Sequence, residues 1–181
     1  MKALVVLYDG FAEFEYEIPV LAFYAFDIAF DVVGLESPSV TGMIGLRANV
    51  SQTLDQVDPS LYSALILPGI EPSTREKAMN NETLMALIRE YDQAKKIIAA
   101  VCAAPVLLGQ AGILKNRRFC SDARDQPAFQ GAVRVEGPVV RDEHLITGLG
   151  SRIFHFTALL VEALTSQEKA KEYRQWAGIS I

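Results

Sequence analysis

Residues 95–108 have the sequence KKIIAAVCAAPVLL, and this stretch decides the fold. Its first half is short and apolar and ends in small residues, which is typical of a buried strand. A helix is predicted to follow as far as Leu114, so Cys102 lies at a strand-to-helix junction. The small Ala103 and Ala104 suit the tight turn that such a junction needs. We interpret this segment as a nucleophile elbow, a sharp turn from which the thiol projects outward.

The position of Cys102 also predicts its chemistry. A helix N-terminus presents free N–H groups and the positive end of the helix dipole, and both lower the pKa of a nearby thiol. We therefore expect Cys102 to be a low-pKa, selectively modified thiol. The second cysteine, Cys120, is expected to be much less reactive. A buried structural cysteine is the ordinary alternative for Cys102.

Length and composition indicate one compact domain that spans residues 1–181. Half of the residues are hydrophobic and 22% are charged, which is typical of a globular chain. The net charge of −5 and the lack of a basic stripe argue against a nucleic-acid partner. The longest apolar runs have the length of strands and are interrupted by charge, so no association with a membrane is expected.

The cysteines and the first residues indicate the compartment. Cys102 and Cys120 form neither a CxxC pair nor a zinc pattern, so we expect no metal site and two free thiols. Residues 1–10 resemble a first strand rather than a secretory signal peptide. These features favour a reducing cytoplasm.

Strands and helices are predicted to alternate along the chain. Besides the strand and the helix that flank Cys102, the predicted strands span residues 3–7, 29–35, 65–67, 133–140 and 145–147. The other predicted helices span residues 13–26, 81–94, 150–164 and 167–176, and residues 37–50 form a small hairpin. Alternation with fully apolar strands predicts an α/β domain, a flavodoxin-like parallel sheet with helices on both faces.

Three segments are expected to converge at the carboxyl ends of these strands, where ligands bind in such sheets. They are residues 9–17, residues 67–70 and the elbow at Cys102. The first segment carries three carboxylates at alternate positions: Glu13, Glu15 and Glu17. A carboxyl among apolar neighbours can stay protonated and donate a hydrogen bond to a thiolate, although most glutamates near a helix start face solvent.

The segment 67–70 suggests a second element of the site. The turn at Gly69 could direct backbone N–H groups at an oxyanion, beside the N–H of Ala103. A plain tight turn is an equally good interpretation of this segment alone.

With these residues the chain resembles the ThiJ/PfpI superfamily (DJ-1-like), whose fold is class I glutamine amidotransferase-like. The resemblance covers essentially the whole chain and rests on four motifs that are weak singly and specific together. The motifs are Asp9-Gly10-Phe11 followed by Glu15 and Ile18-Pro19-Val20, then Leu65-Ile66-Leu67-Pro68-Gly69, then Ile98-Ala99-Ala100-Val101-Cys102-Ala103-Ala104-Pro105, and finally Leu145-Ile146-Thr147. The resemblance implies that Cys102 is the reactive cysteine. It also implies that Glu15, and not Glu13 or Glu17, is the acid that contacts the thiolate.

Two departures from the family pattern concern the site. The family usually has a second glycine after Gly69, where this chain has Ile70. A backbone donor survives this change, so the candidate oxyanion donors are the N–H groups of Gly69, Ile70 and Ala103. Because a β-branched residue does not easily take a positive φ, a different loop or the loss of the Ile70 N–H are the alternatives. Many members also carry a histidine downstream of the cysteine, and Asp122 stands in that place.

The two histidines, His144 and His155, are predicted to be partly solvated surface residues. Without a histidine beside the cysteine, a Cys-His protease is disfavoured, because amide cleavage needs a proton for the leaving amine. Asp122, Arg47 and His155 are kept as auxiliary candidates for the site.

Three functions stay open, and none of them calls for a cofactor. The resemblance most often implies a cysteine-dependent lyase or hydrolase acting on small reactive carbonyls or their adducts (glyoxalase- or deglycase-like), in which Cys102 adds to the carbonyl and Glu15 shuttles protons. The second is a redox-sensing or chaperone-like stress protein whose Cys102 oxidises to sulfinic acid. The third is an amidase- or hydratase-like hydrolase that acts through a thioester or thioimidate.

A homodimer through the first predicted helix is also expected. Apolar residues cover most of its circumference: Ile18, Val20, Leu21, Ala22, Phe23, Tyr24, Ala25 and Phe26. One side can pack on the sheet, and the other side then needs a cover. Family members commonly dimerise this way, and Arg47 could then reach the partner's pocket. A helix buried within one subunit is the alternative.

Overall fold

The computed structural model describes residues 1–124 and 126–180, in which strands and helices alternate as predicted. The strands are β1 (Lys2–Leu7), β2 (Ala29–Gly34), β3 (Ser39–Thr41), β4 (Arg47–Asn49), β5 (Ala64–Leu67), β6 (Ile97–Val101), β7 (Arg118–Phe119), β8 (Val133–Arg134), β9 (Val139–Asp142) and β10 (Leu145–Gly148). The helices are α1 (Glu13–Ala25), α2 (Pro72–Met79), α3 (Glu82–Gln93), α4 (Pro105–Gln110), α5 (Ile153–Leu164) and α6 (Gln167–Ala177).

The central sheet has six strands in the order β2-β1-β5-β6-β10-β9. The strands from β2 to β10 run parallel to their neighbours, and β9 is antiparallel to β10 at one edge. The inner strands β1, β5 and β6 are almost entirely buried, because they are apolar towards both faces of the sheet. The fold is therefore α/β with a mostly parallel sheet, as predicted.

Helices cover both faces of this sheet. α1, α5 and α6 pack together on one face, and α2, α3 and α4 lie on the other. This arrangement leaves the carboxyl ends of β1, β5 and β6 together at one edge, where the loops that follow them meet. Within the described ranges, no helix is both long and apolar enough to cross a membrane.

Several elements differ in extent from the prediction. α4 ends at Gln110 rather than Leu114, and Gly112 follows it with φ of 82°. The predicted strand over residues 133–140 is two strands, β8 and β9, with Gly137 and Pro138 between them. α2 was not predicted, because its polar sequence buries only Ala78 and so shows no apolar periodicity. The predicted hairpin is confirmed as the antiparallel pair β3 and β4.

His144 is buried, so its prediction as a partly solvated surface residue is wrong. Its Nε2 lies 2.7 Å from Oδ1 of Asp92, and Nη1 of Arg117 lies 2.6 Å from the same oxygen. These contacts tie the end of α3 to the segments that precede β7 and β10. The histidine is thus held by charged partners that are distant in sequence, and no local pattern connects them.

Candidate active site

Cys102 stands on the predicted elbow, directly after β6 and before α4. Its φ is 59°, in the left-handed region that costs a non-glycine residue about 1–3 kcal/mol. The surrounding turn holds this conformation: the Cys102 N–H donates to the Gly148 carbonyl at 2.8 Å, and the Ala104 N–H donates to the Val101 carbonyl at 2.9 Å. The elbow is therefore present, and its thiol is partly exposed.

Glu15 meets this thiol from the first turn of α1. Its side chain is only 2% exposed, and its carboxyl lies beside the Cys102 thiol, close enough for each group to shift the pKa of the other. Oε2 of Glu15 accepts the Gly69 N–H at 2.8 Å. The three segments that follow β1, β5 and β6 thus meet around one acid, as the sequence predicts.

Two glycines leave the room that this pair needs. A Cβ on Gly69 would overlap Oε2 of Glu15 and lie 2.9 Å from Cβ of Cys102. A Cβ on Gly150 would overlap Oε1 of Glu15 and lie 3.3 Å from Sγ of Cys102. Gly150 therefore faces both the acid and the sulfur. This role was not predicted, and its only sequence signal is a glycine between β10 and α5.

Burial is the main reason that the pKa of Glu15 is raised to about 7. The hydrogen bonds with Cys102 and Gly69 act to lower the pKa, and the charge of Asp122 acts to raise it. The carboxyl therefore titrates much closer to neutral pH than an ordinary glutamate does. A group with such a pKa can both give and take a proton.

The prediction of a low-pKa thiol is wrong for Cys102. Burial raises the pKa of this thiol well above its usual range, and the negative charges of Glu15 and Asp122 raise it further. The helix that follows has only six residues, so its dipole compensates little. The Cys102 thiol therefore keeps its proton at neutral pH.

Asp122, in the place of the expected histidine, lies beside the elbow. Its N–H donates to the Cys102 carbonyl at 2.9 Å, and its Oδ2 accepts the Gly150 N–H at 2.7 Å. The carboxyl also lies close enough to the Cys102 thiol to help raise its pKa. An acid here brings negative charge to the sulfur and does not supply the imidazole of a Cys-His pair.

The predicted oxyanion donors are the backbone N–H groups of Gly69, Ile70 and Ala103, and they differ in whether a protein group already accepts their hydrogen bond. The Gly69 N–H is occupied by Glu15, so it is not available to a substrate and that part of the prediction is wrong. Ile70 does not adopt a positive φ, because it forms an antiparallel bridge with Phe11. Within the described residues, the N–H groups of Ile70 and Ala103 donate to no protein acceptor. These two N–H groups therefore have no competing acceptor, and both belong to buried residues.

The other predicted candidates lie outside this cluster. Arg47 is exposed on β4, and His155 is half-buried in the first turn of α5. In the described part of the chain, neither residue is hydrogen-bonded to Cys102 or Glu15, and neither shifts the pKa of that pair.

The neighbouring glutamates have separate surroundings. Glu13 is buried, and its Oε1 accepts the N–H groups of Ile44 at 2.8 Å and of Leu46 at 3.3 Å, so it anchors the β3–β4 hairpin. Glu17 is exposed. Of the three glutamates in this segment, Glu15 is the one that reaches the thiol.

Tyr8 was not predicted as a residue of the site, which it supports through the loop that follows β5. Its buried hydroxyl donates to the Pro68 carbonyl, next to the glycine that binds Glu15. Burial, and then the charges of Glu15 and Cys102, raise the pKa of this phenol well above its usual value, which shows how close it lies to the pair. Tyr8 therefore fixes the loop that follows β5.

An open basin of about 610 Å³ lies beside Asp122. Ser121, Arg134, Glu136 and Leu149 contribute to its walls, which carry charges of both signs. Such a basin has room for a ligand much larger than a two- or three-carbon aldehyde. Among the residues that the structure describes, no group of three or more His, Cys, Asp or Glu side chains could hold a metal ion.

A strained cysteine elbow beside a buried carboxyl, at the carboxyl ends of a parallel sheet, defines a class of α/β proteins with a cysteine–glutamate pair. The model of the DJ-1/PfpI family matches residues 1–163. The chain therefore belongs to the DJ-1/PfpI family.

Relatives and solved structures agree with this assignment. The chain is 30% identical over 149 residues to Deglycase TK1284 of Thermococcus kodakarensis, which covers 81% of this chain and 89% of that protein. It is 27% identical over 176 residues to Protein dj-1beta of Drosophila melanogaster, covering 94% and 93%. The solved structure of DJ-1 superfamily protein STM1931 from Salmonella typhimurium is 26% identical and covers 99% of both chains, with a TM-score of 0.87.

Proposed function

We propose that this protein is a cysteine-dependent enzyme that acts on small reactive carbonyls or their adducts, as a deglycase does. The observation that carries the proposal is the contact of the Glu15 carboxyl with the thiol on the Cys102 elbow. The relative from Thermococcus kodakarensis that bears the name deglycase supports it.

The first step is the addition of the Cys102 thiol to an aldehyde carbon. Glu15 takes the thiol proton as the S–C bond forms, and the carbonyl oxygen receives a proton in return, which gives a hemithioacetal. We assign the stabilisation of the negative charge that develops on that oxygen to the Ile70 and Ala103 N–H groups, since neither donates to a backbone acceptor among the described residues. No electrons are gained or lost in this step.

The second step depends on whether the substrate is a free dicarbonyl. From the hemithioacetal of methylglyoxal, Glu15 moves one proton from the sulfur-bearing carbon to the neighbouring carbonyl carbon. The hydroxyl proton of the hemithioacetal passes to the oxygen of that second carbon, so the first carbon becomes the carbonyl carbon of a thioester. The product is a thioester of a 2-hydroxy acid at the same overall oxidation level. Water then cleaves the S–C bond, which releases lactate and restores the thiol. For an adduct, the aldehyde carbon already bears the amine or thiol carrier, so the carrier leaves with a proton as Cys102 takes its place on that carbon, before the proton shift.

We further propose that the enzyme is a homodimer that pairs through α1. Pro19, Ala22 and Phe23 of this helix are buried on the sheet, whereas Leu21 and Tyr24 are exposed. Large apolar side chains along one exposed face suit a second copy of the same helix. Two free thiols suit a reducing compartment, so we propose the cytoplasm as the place of action.

Product formation from methylglyoxal and glyoxal tests the proposed activity. Purified chain is incubated with each dicarbonyl, and with methylglyoxal-treated N-acetylcysteine or N-acetylarginine, and lactate or glycolate is measured. We expect turnover by the unchanged chain, none by Cys102→Ser, and a loss of about 10²–10⁴-fold for Glu15→Gln.

Cys120→Ser is the matched control, because it removes the other thiol while leaving the elbow intact. It is expected to keep full activity. Product formed by Cys102→Ser, or no product from any of these substrates, would overturn the proposal. In the second case, addition of two oxygen atoms to Cys102 under mild peroxide would favour the redox-sensing alternative.

A further inference from the structure

Asp122 is an exposed residue, yet it is held firmly against the elbow. The segment that carries it is bound to the Cys102 carbonyl twice: by the Ser121 hydroxyl at 2.7 Å and by the Asp122 N–H at 2.9 Å. The Ser121 hydroxyl also accepts the Ala123 N–H at 3.1 Å. Residues 121–123 thus form a compact arch whose outer carbonyls, of Ser121 and Ala123, flank the acid.

Arg134 binds both of those carbonyls. Its Nη1 donates to the Ser121 carbonyl at 2.7 Å, and its Nη2 donates to the Ala123 carbonyl at 2.5 Å. The guanidinium is itself fixed, because it stacks on Phe119 and Phe129 with its centre 5.0 and 5.3 Å from the two ring centroids. A planar fork with several donors is suited to spanning two acceptors in this way.

We propose that Arg134 is a positioning residue that holds Asp122 against Cys102 by fixing the carbonyl on each side of it. Without the fork, the arch keeps its two bonds to the Cys102 carbonyl, and the exposed carboxylate is held only by the Gly150 N–H at 2.7 Å, so it turns towards water more easily. The reacting atoms never touch Arg134. The inference concerns the same thiol as the proposed function, but it does not require that the protein turns over a carbonyl.

The two ways in which Arg134 can affect the thiol have opposite signs. Its positive charge, acting through space, favours a thiolate. By holding the Asp122 carboxylate near the sulfur, it disfavours a thiolate, and this negative charge helps to raise the pKa of Cys102. If only the charge of Arg134 matters, removal of its side chain raises the pKa of the Cys102 thiol. If the positioning of Asp122 by Arg134 matters more, removal of the side chain lowers that pKa.

The pH dependence of the rate at which iodoacetamide alkylates Cys102 distinguishes these two effects of Arg134. The measurements use Cys120→Ser chains, so that a single thiol reports. We expect Arg134→Met to move the midpoint to lower pH by about one unit, as Asp122→Asn does. The double variant is expected to show no larger shift than Asp122→Asn alone, because the two changes act through one group.

Arg134→Lys keeps the charge but not the planar fork, so its midpoint is also expected to fall. Arg141→Met is the matched control: Arg141 is an exposed arginine that donates to the Glu143 carbonyl at 3.2 Å, away from the elbow. It is expected to leave the midpoint unchanged. An unchanged or higher midpoint in Arg134→Met, additive shifts in the double variant, or an Arg134→Lys midpoint equal to that of the parent would each overturn the proposal. If Arg134→Met does not fold, the lysine variant decides alone.

Discussion

The backbone N–H of Gly69 is bonded to Oε2 of Glu15 at 2.8 Å, and this bond gives the two oxygens of the carboxyl different tasks. Oε2 is engaged as an acceptor. Oε1 lies on the side of Gly150, where Sγ of Cys102 is also found. In the proposed mechanism, the thiol proton therefore passes to Oε1, and the acid does not have to rotate to return it.

The free energy of unfolding is expected to depend on pH through the titration of Glu15. The folded chain keeps this proton until the pH reaches about 7, whereas the unfolded chain releases it near the ordinary value of 4.5. The contribution of Glu15 to stability is therefore complete below pH 4.5 and is lost as the pH rises through 7. The loss is at most about 3 kcal/mol.

Urea denaturation at several pH values, on the unchanged chain and on Glu15→Gln, measures this loss. The glutamine variant serves as the reference, because its side chain has nearly the same shape as that of Glu15 but carries no titratable group. The unchanged chain is expected to lose stability relative to the variant between pH 5 and pH 8. Parallel curves would show that Glu15 titrates as an ordinary surface carboxyl.

The two cysteines are expected to differ in alkylation because of access rather than acidity. Cys102 is partly exposed, whereas Cys120 is 2% exposed and its Sγ lies 3.9 Å from the Thr147 hydroxyl oxygen. Mass spectrometry after brief iodoacetamide treatment should find the label on Cys102, with a pH midpoint above about 8.5, the value of a free thiol.

Glu15→Gln removes one of the negative charges that disfavour the thiolate, so it should lower that midpoint. Cys120→Ser is the control and should leave it unchanged. Labelling of Cys120 first, or a midpoint for Cys102 below neutrality in the unchanged chain, would contradict the geometry of the elbow.

The Asp92 group is expected to contribute measurably to stability. Asp92→Ala leaves the buried His144 and the largely buried Arg117 without their shared acceptor, which should cost about 2–4 kcal/mol. Glu82→Ala is a matched control, because it removes a carboxylate from the other end of the same helix that pairs with Arg89 at 3.8 Å on the surface. The control is expected to cost less than about 1 kcal/mol. Similar midpoints of urea unfolding for the two variants would refute the assignment.

Light scattering tests the proposed dimer. The expected mass is twice the 19.9 kDa of one chain. Tyr24→Glu places a charge on a side chain that is 79% exposed, so it should give monomers without disturbing the fold. Leu61→Glu, at a 62% exposed position outside α1, is the control and should stay dimeric. A mass of one chain before any substitution would exclude the dimer.

The parts of the molecule that the sequence predicts are those with strong local patterns. Apolar strands and the small residues around Cys102 predict the sheet and the elbow, and the family motif predicts that Glu15 faces the thiol. The predicted low pKa of Cys102 was wrong, because the pKa of this thiol depends on how closely two carboxylates approach the sulfur. No spacing along the chain gives that distance. Arg134 was missed for the same reason, since its partners lie in a separate segment.

The left-handed backbone at Cys102 also bears on how this protein can be engineered. Glycine tolerates that conformation best, so a glycine there would relieve strain and yield a more robust but chemically inert molecule. At the backbone angle φ of Cys102, the residue that favours stability is thus not the residue that supplies the reactive thiol. A library screened only for survival on heating is expected to accumulate chains that have lost their nucleophile.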